Sequence, residues 1–275
     1  MHKIGFIGAG NMGGALIIAA CRSIGADQVL ITDYDLAKAE ALAQETGCHV
    51  AASNDGVVQD AEFVVLAVKP NVITSVAAGI SPALSQCVQA GMRRVVVTIA
   101  AGVPIATIQG CLEAAVPVVR IMPNTPVEVG QGMILLTCSQ PVAGEDVDAI
   151  LAEFQGLLSA AGDFERIPES AFDYTTSISG CTPAYAYMFI DALADGAVQV
   201  GVPRAQAIRL AAKTVLGSAA MVLSTGKHPD LLKDNVCSPG GSTIVGVNEL
   251  EKHGFRYAVA QSIIRSTEKN FSLGK

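Results

Sequence analysis

The chain has 275 residues, 51% of them hydrophobic, with a formal net charge of −7. That balance predicts a globular protein of one large or two medium domains, and the lack of any basic stripe argues against a nucleic-acid partner. Seven scattered cysteines with no C-x-x-C pair, and four histidines without ligand spacing, exclude a disulfide scaffold and a metal centre and fit reduced thiols in a cytoplasmic protein.

The N-terminus runs directly into an apolar strand, expected over 3–8, with no signal-peptide pattern ahead of it. The strand leads into Gly8-Ala9-Gly10-Asn11-Met12-Gly13, and a helical pattern follows from about Asn11 to Ile24. This is the order of a dinucleotide-binding turn. Gly8 allows the tight turn, Gly10 lets the backbone approach a pyrophosphate, and Gly13 lets the helix pack close to the strand. A second strand, over 28–33, ends in Asp33, where a carboxylate would meet a ribose 2′-hydroxyl. A carboxylate there favours NADH over NADPH. The nearest following base, Lys38, is no obvious phosphate clamp. The alternative for Asp33 is a turn or cap ahead of a helix at 35–45, a role Asp35 could also fill.

Further strands are expected near 63–68, 94–99, 116–121 and 131–137, with helical patterns between most of them. Alternation of this kind predicts a doubly wound parallel sheet. Val64–Val68 and Val95–Ile99 read as central strands covered on both faces. The apolar run Val95–Ile108 is too short and interrupted to span a bilayer. The strand ends carry Lys69-Pro70, Ala100-Ala101-Gly102 and Met122-Pro123-Asn124-Thr125-Pro126, where such sheets bind ligands; Asn124 is a candidate substrate contact.

Past Ile167 the strand patterns stop. Helices are expected over roughly 168–178, 183–200, 203–225 and 242–272, with Pro183 and Pro203 in first-turn positions. The predicted division is a dinucleotide-binding domain over 1–164 and an all-α domain over 165–275. Small residues on several faces of the two central helices suggest burial against another subunit, with a self-contained helical bundle as the alternative. Ser238-Pro239-Gly240-Gly241-Ser242-Thr243 stands before the last helical stretch. Its glycines, its hydroxyls and a helix N-terminus make a seat for a small anion, with Ser242 and Thr243 as cap types.

Six segments occur in order: Gly5 to Gly13, Ala67-Val68-Lys69-Pro70, Ile99 to Val103, Arg120 to Pro126, Pro183-Ala184-Tyr185 and Leu232 to Gly241. Together they resemble the pyrroline-5-carboxylate reductase family over essentially the whole chain. The resemblance implies an N-terminal Rossmann-like domain, an all-α C-terminal dimerisation domain, and dimers that can assemble into decamers. It implies hydride transfer from NADPH or NADH to the C=N carbon of a cyclic imino acid, giving L-proline. It places the substrate carboxylate on Ser238, Ser242 and Thr243 beside Gly240 and Gly241, and the ring nitrogen opposite the Thr176 hydroxyl. Asn11, Met12, Asn54, Ala67, Val68, Lys69, Pro70 and Ala100 match cofactor positions. Two departures stand out. Cys181-Thr182 replaces the family's Ser-Gly ahead of Pro183, and Asp33 replaces the small polar or basic residue of NADPH-preferring members. A bound iminium already carries its proton, so no strong acid is required. Other readings are a reductase of a different cyclic imino acid and a non-catalytic dinucleotide-binding scaffold.

Overall fold

The structure is a computed structural model that describes residues 1–139, 142 and 146–273. It divides into two compact units. The first comprises Met1–Gly180 and the chain from Thr267 on; the second is Cys181–Ser266.

The first unit is built on an eight-stranded sheet: β1 (His2–Ile7), β2 (Val29–Thr32), β3 (His49–Val50), β4 (Ala61–Leu66), β5 (Val95–Thr98), β6 (Val118–Met122), β7 (Gly132–Cys138) and β8 (Gly162–Arg166). Their order is β3-β2-β1-β4-β5-β6-β7-β8. The strands pair in parallel except β6 with β7, which run antiparallel. The expected parallel sheet therefore carries one reversal, where the short connection through Asn124 turns the chain straight back instead of crossing over. The chain order reverses at β1, which pairs with β2 on one side and β4 on the other. That arrangement leaves a crevice beyond their carboxyl ends.

Both sheet faces are covered. Ile4, Phe6, Ile31, Phe63, Val65, Val95 and Val97 pack on one side with α1 (Asn11–Ile24) and α6 (Val147–Leu157). The alternate residues Ile7, Leu30, Val64, Leu66 and Val96 pack on the other with α3 (Asn54–Asp60), α4 (Ile73–Gln89) and α5 (Ile105–Gln109). Between β2 and β3 lies α2 (Leu36–Thr46). At the edge of the core, burial alone would raise the Glu62 carboxyl. Hydrogen bonds from Lys3 Nζ at 3.1 Å and Arg93 Nη1 at 2.5 Å reverse this and hold it below its ordinary value. None of the seven cysteines is disulfide-bonded; Cys48 and Cys87 are buried and the rest half-buried.

The first unit extends past the expected boundary at 164/165. Strand β8 is in the sheet, and α7 (Phe172–Thr176) follows it, ending in a π-helical turn over Ser177–Cys181. The last turns of α12 (Phe255–Leu273) join this unit: Asn270 Nδ2 and Thr267 Oγ1 bond Ser177 Oγ at 3.0 and 2.8 Å.

The second unit is all helical: α8 (Thr182–Gln199), α9 (Arg204–Thr225), α10 (Pro229–Val236), α11 (Ser242–Lys252) and the first part of α12. Pro183 sits in the first turn of α8, and Pro203 is the N-cap of α9. The expected single stretch over 242–272 is two helices, broken at His253 and Gly254, the latter at φ +71°. Tyr185 Oη lies 2.5 Å from Ser266 Oγ, and the Phe189 and Phe255 rings are 5.8 Å apart, so α8 and α12 hold each other. Little of this unit is closed. In α8 only Ala194 is buried, in α9 only Ala207, and in α10 and α11 nothing. Among the described residues, α9 alone is long and apolar enough to cross a membrane.

Candidate active site

The glycine turn sits at the crevice. Gly8 closes it: its N–H donates to Thr32 O at 2.8 Å, and its φ is +110°. A Cβ on Gly8 would come within 2.4 Å of Ala67 O, and one on Gly13 within 2.5 Å of Gly8 O. The protein's own packing therefore requires both glycines. Gly10 is different. A Cβ there would meet no atom within 4 Å, and its φ of −68° is open to any residue. The absence of a side chain at Gly10 answers no need of the polypeptide. It keeps clear the space that a pyrophosphate would fill. Gly10 is also the N-cap of α1, with no side chain capping it and no acid in the first turn. Orphan N–H groups and the positive end of the helix thus face that space. The residues fit a dinucleotide.

A cavity of about 770 Å³ gathers most of the expected cofactor residues: Gly8, Gly10, Asp33, Asn54, Ala67, Val68 and Lys69. Asn11 faces a second cavity, of about 450 Å³, with Ala9 and Gly10. Lys38 lines both. Four expected residues do not line either: Gly13 (packed against the Gly8 carbonyl), Met12, Pro70 and Ala100. Met12 packs its half-buried side chain against the core, leaving only its backbone to the turn. Ala100 is buried, with its N–H donated to Thr98 Oγ1 at 3.2 Å, and Pro70 is exposed on the loop after β4.

Asp33 is held in place. Its Oδ2 accepts the Ala9 N–H at 2.6 Å and its Oδ1 accepts the Asp35 N–H at 2.9 Å. The carboxylate is thereby fixed at the mouth of the turn, and Asp35 is the N-cap of α2. The two alternatives for Asp33 merge: it is a turn residue whose turn presents its charge to the cavity. Tyr34, beside it on the same wall, is fully exposed.

Thr176 is the last residue of α7, just before the π-helical turn. Such turns recur at functional sites. It is buried, and it lines a small crevice with Ala101, Gly102, Arg120, Met122, Asp173 and Asn270. Asn124 does not offer a free amide to this space. Its Nδ2 donates to Ser179 O at 2.9 Å and its Oδ1 accepts the Met133 N–H at 3.0 Å. Its geometry is that of a clamp on the β6–β7 loop rather than a ligand contact.

Sequence reasoning missed Arg120, which is 4% exposed in the middle of β6. Its Nη1 and Nη2 lie 3.3 Å from Glu169 Oε1 and Asp173 Oδ1, and its guanidinium stacks 4.4 Å from the Phe172 ring centre. The available signal was a lone cation in the apolar run Val118-Val119-Arg120-Ile121-Met122.

In the second unit, the anion seat forms as a turn closed by Gly241 N–H to Ser238 O at 3.0 Å, with Gly240 at φ +68°. A Cβ on Gly241 would lie 2.5 Å from Ser238 Oγ. The cap is Gly241, not Ser242 or Thr243, which open the first turn of α11; no side chain caps the helix. Ser238, Ser242 and Thr243 are exposed. Hydroxyls and uncapped N–H groups therefore share one surface.

Two family models match the chain. Residues 3–102 match "NADP oxidoreductase coenzyme F420-dependent", and residues 169–273 match "Pyrroline-5-carboxylate reductase dimerisation". The pyrroline-5-carboxylate reductase of Escherichia coli K12 is 40% identical over 275 residues, covering 99% of this chain and 98% of the relative. Among solved structures, a pyrroline-5-carboxylate reductase from Coxiella burnetii aligns with a TM-score of 0.88 at 29% identity, over 100% of this chain and 99% of that one. A Plasmodium falciparum pyrroline carboxylate reductase with NADP bound aligns at 0.83 and 29%, over 100% and 98%.

Proposed function

The chain belongs to the pyrroline-5-carboxylate reductase family, and on that premise we propose how its own residues serve the reaction. It is an NAD(P)-dependent oxidoreductase of proline biosynthesis that reduces the C=N bond of 1-pyrroline-5-carboxylate to L-proline, and it is a homo-oligomer. The bound dinucleotide supplies the hydride. The glycine turn and the N-terminus of α1 hold its pyrophosphate, and the open space at Gly10 is the observation that carries this reading. Asn54, Ala67, Val68 and Lys69 form the wall behind it.

Ser238, Ser242, Thr243 and the N–H groups around Gly240 and Gly241 hold the substrate carboxylate. Thr176 turns its hydroxyl to the ring nitrogen and orients the ring. Asn124 acts indirectly, by fixing the backbone at Ser179. None of the residues proposed to touch the substrate is a His, Asp or Glu, so rate acceleration rests on positioning and on a dry site. Asp33, fixed by two backbone N–H groups, favours the free 2′-hydroxyl of NADH and repels a 2′-phosphate. The subunits form dimers that assemble further into decamers, in the cytoplasm. The apolar surface of α9, which falls inside the dimerisation region, faces another subunit and not a bilayer.

The test is parallel oxidation of NADH and NADPH by the purified protein with chemically prepared pyrroline-5-carboxylate. Rapid oxidation with proline as product is expected, faster with NADH. Turnover confined to a six-membered cyclic imine would overturn the substrate assignment. Faster oxidation of NADPH would overturn the reading of Asp33.

A further inference from the structure

Two arginines of the first unit are buried, and they do different things. Arg94, 1% exposed ahead of β5, gives its hydrogens to the carbonyls of Val58, Gln59 and Arg93. That is backbone satisfaction, complete in itself. Arg120 sits level with the end of β5, paired in register with Thr98, and faces two carboxylates. Buried ion pairs are weak sources of stability, because the desolvation cost rivals the attraction. What this one joins is more telling. Glu169 Oε1, besides meeting Arg120, accepts the Ile105 N–H at 2.7 Å. Ile105 opens α5 at the end of the loop through Ala100, Ala101 and Gly102. Asp173, the other partner, lies one helical turn before Thr176 on α7. The guanidinium also rests on Phe172, so its plane is fixed as well as its charge.

The geometry points to Arg120 as a positioning residue for hydride transfer. Its two-pronged guanidinium fixes the loop Ala100–Gly102 and the Thr176 end of α7 relative to each other. Neither connection touches the reacting atoms, and both set where groups that flank them stand. Parts of both connected segments line one crevice: Ala101, Gly102, Arg120, Asp173 and Thr176 lie along it together. This inference deepens the proposed function and rests on its reading of that crevice as the reaction side of the unit. Lysine cannot substitute, since a single ammonium cannot span both carboxylates in plane and stack on Phe172.

The experiment compares Arg120→Lys, Glu169→Gln and Asp173→Asn with the unaltered enzyme. The readouts are kcat, KM, dinucleotide Kd by nicotinamide fluorescence, melting temperature, and the kinetic isotope effect with NADH deuterated at the transferred position. Arg120→Lys is expected to lower kcat by about 10- to 100-fold, with dinucleotide Kd within about threefold. The isotope effect should rise as hydride transfer becomes the slow step. The two carboxylate variants should move the same readouts less. Arg166→Gln, which removes an exposed pair with Asp148, should move none. Folded variants with unchanged kcat and isotope effect would overturn the assignment. So would a loss that tracks the folded fraction while the isotope effect stays constant. If Arg120→Lys does not fold, Glu169→Gln and Asp173→Asn decide by the same criteria. Thr176→Ala, run alongside, separates the two readings. If it is unchanged while the Arg120 set shifts, the role of Thr176 falls and the positioning role acts through the Ala100–Gly102 loop.

Discussion

Helices α1 and α9 are both rich in alanine and aliphatic residues, and the fold treats them oppositely. In α1, Gly13, Ala15, Leu16, Ile17, Ala19 and Ala20 are buried by the chain's own sheet. In α9, a helix of 22 residues, only Ala207 is buried, while Leu216 and Leu223 stand 53% and 81% exposed. The first unit closes a core on both faces of its sheet; the second leaves apolar surface exposed within a region that matches a dimerisation family model. Apolar composition alone therefore does not say where a core lies. It says only that one will be completed, within the chain or between chains.

The contrast can be broken at either end. The largest effect belongs to the closed core: Phe63→Ala should cost about 3–5 kcal/mol of stability, read by urea melting, with the stoichiometry of any remaining folded protein unchanged. Next, Leu216→Glu should leave the secondary structure intact by circular dichroism. It should weaken self-association by about 100-fold in sedimentation equilibrium, since a charge would be stranded in an apolar interface. A wild-type dimer with that glutamate would place the interface elsewhere.

These two outcomes also divide what the sequence made legible from what it hid. The turn from Gly8 to Gly13 and its flanking elements were readable because the strand, the glycines, the helix and Asp33 follow one another closely in the chain, although the packing that requires Gly8 comes from the distant Ala67. Strand β8 was not. Gly162-Asp163-Phe164-Glu165-Arg166 is short and polar, covers the sheet edge, and gains its identity only from pairing with β7. Helix α10 escaped notice because eight residues carry too little periodicity. Arg120 could be seen but not interpreted: its partners stand 49 and 53 residues further along. Asn124 was singled out for the right loop, yet only the folded chain shows its amide already engaged at both ends.

Smaller effects sharpen the comparison between the two anion seats. Ser238→Ala should raise KM for the imino acid by about tenfold, the worth of one hydrogen bond to a charged group, and leave dinucleotide Kd unchanged. If the dinucleotide affinity moves instead, the two seats have been assigned to the wrong ligands. The smallest effect concerns pH. The Glu62 carboxyl lies below its unfolded value, so its contribution is present above the ordinary carboxylate range and fades as pH falls through it. Glu62→Gln should therefore lower the melting temperature by ~2–4 °C at pH 7 and by less near pH 3.

Gly10 sets a trap for anyone improving this protein by thermostability. Its backbone suits alanine, no neighbour objects to a methyl group, and such exchanges typically stabilise by about 0.4–1 kcal/mol through the unfolded chain. A melting screen would therefore rank Gly10→Ala among the improvements. On the proposed role of Gly10, the methyl group would occupy the space kept for the pyrophosphate, and the selected variant would be a sturdier protein with no reductant.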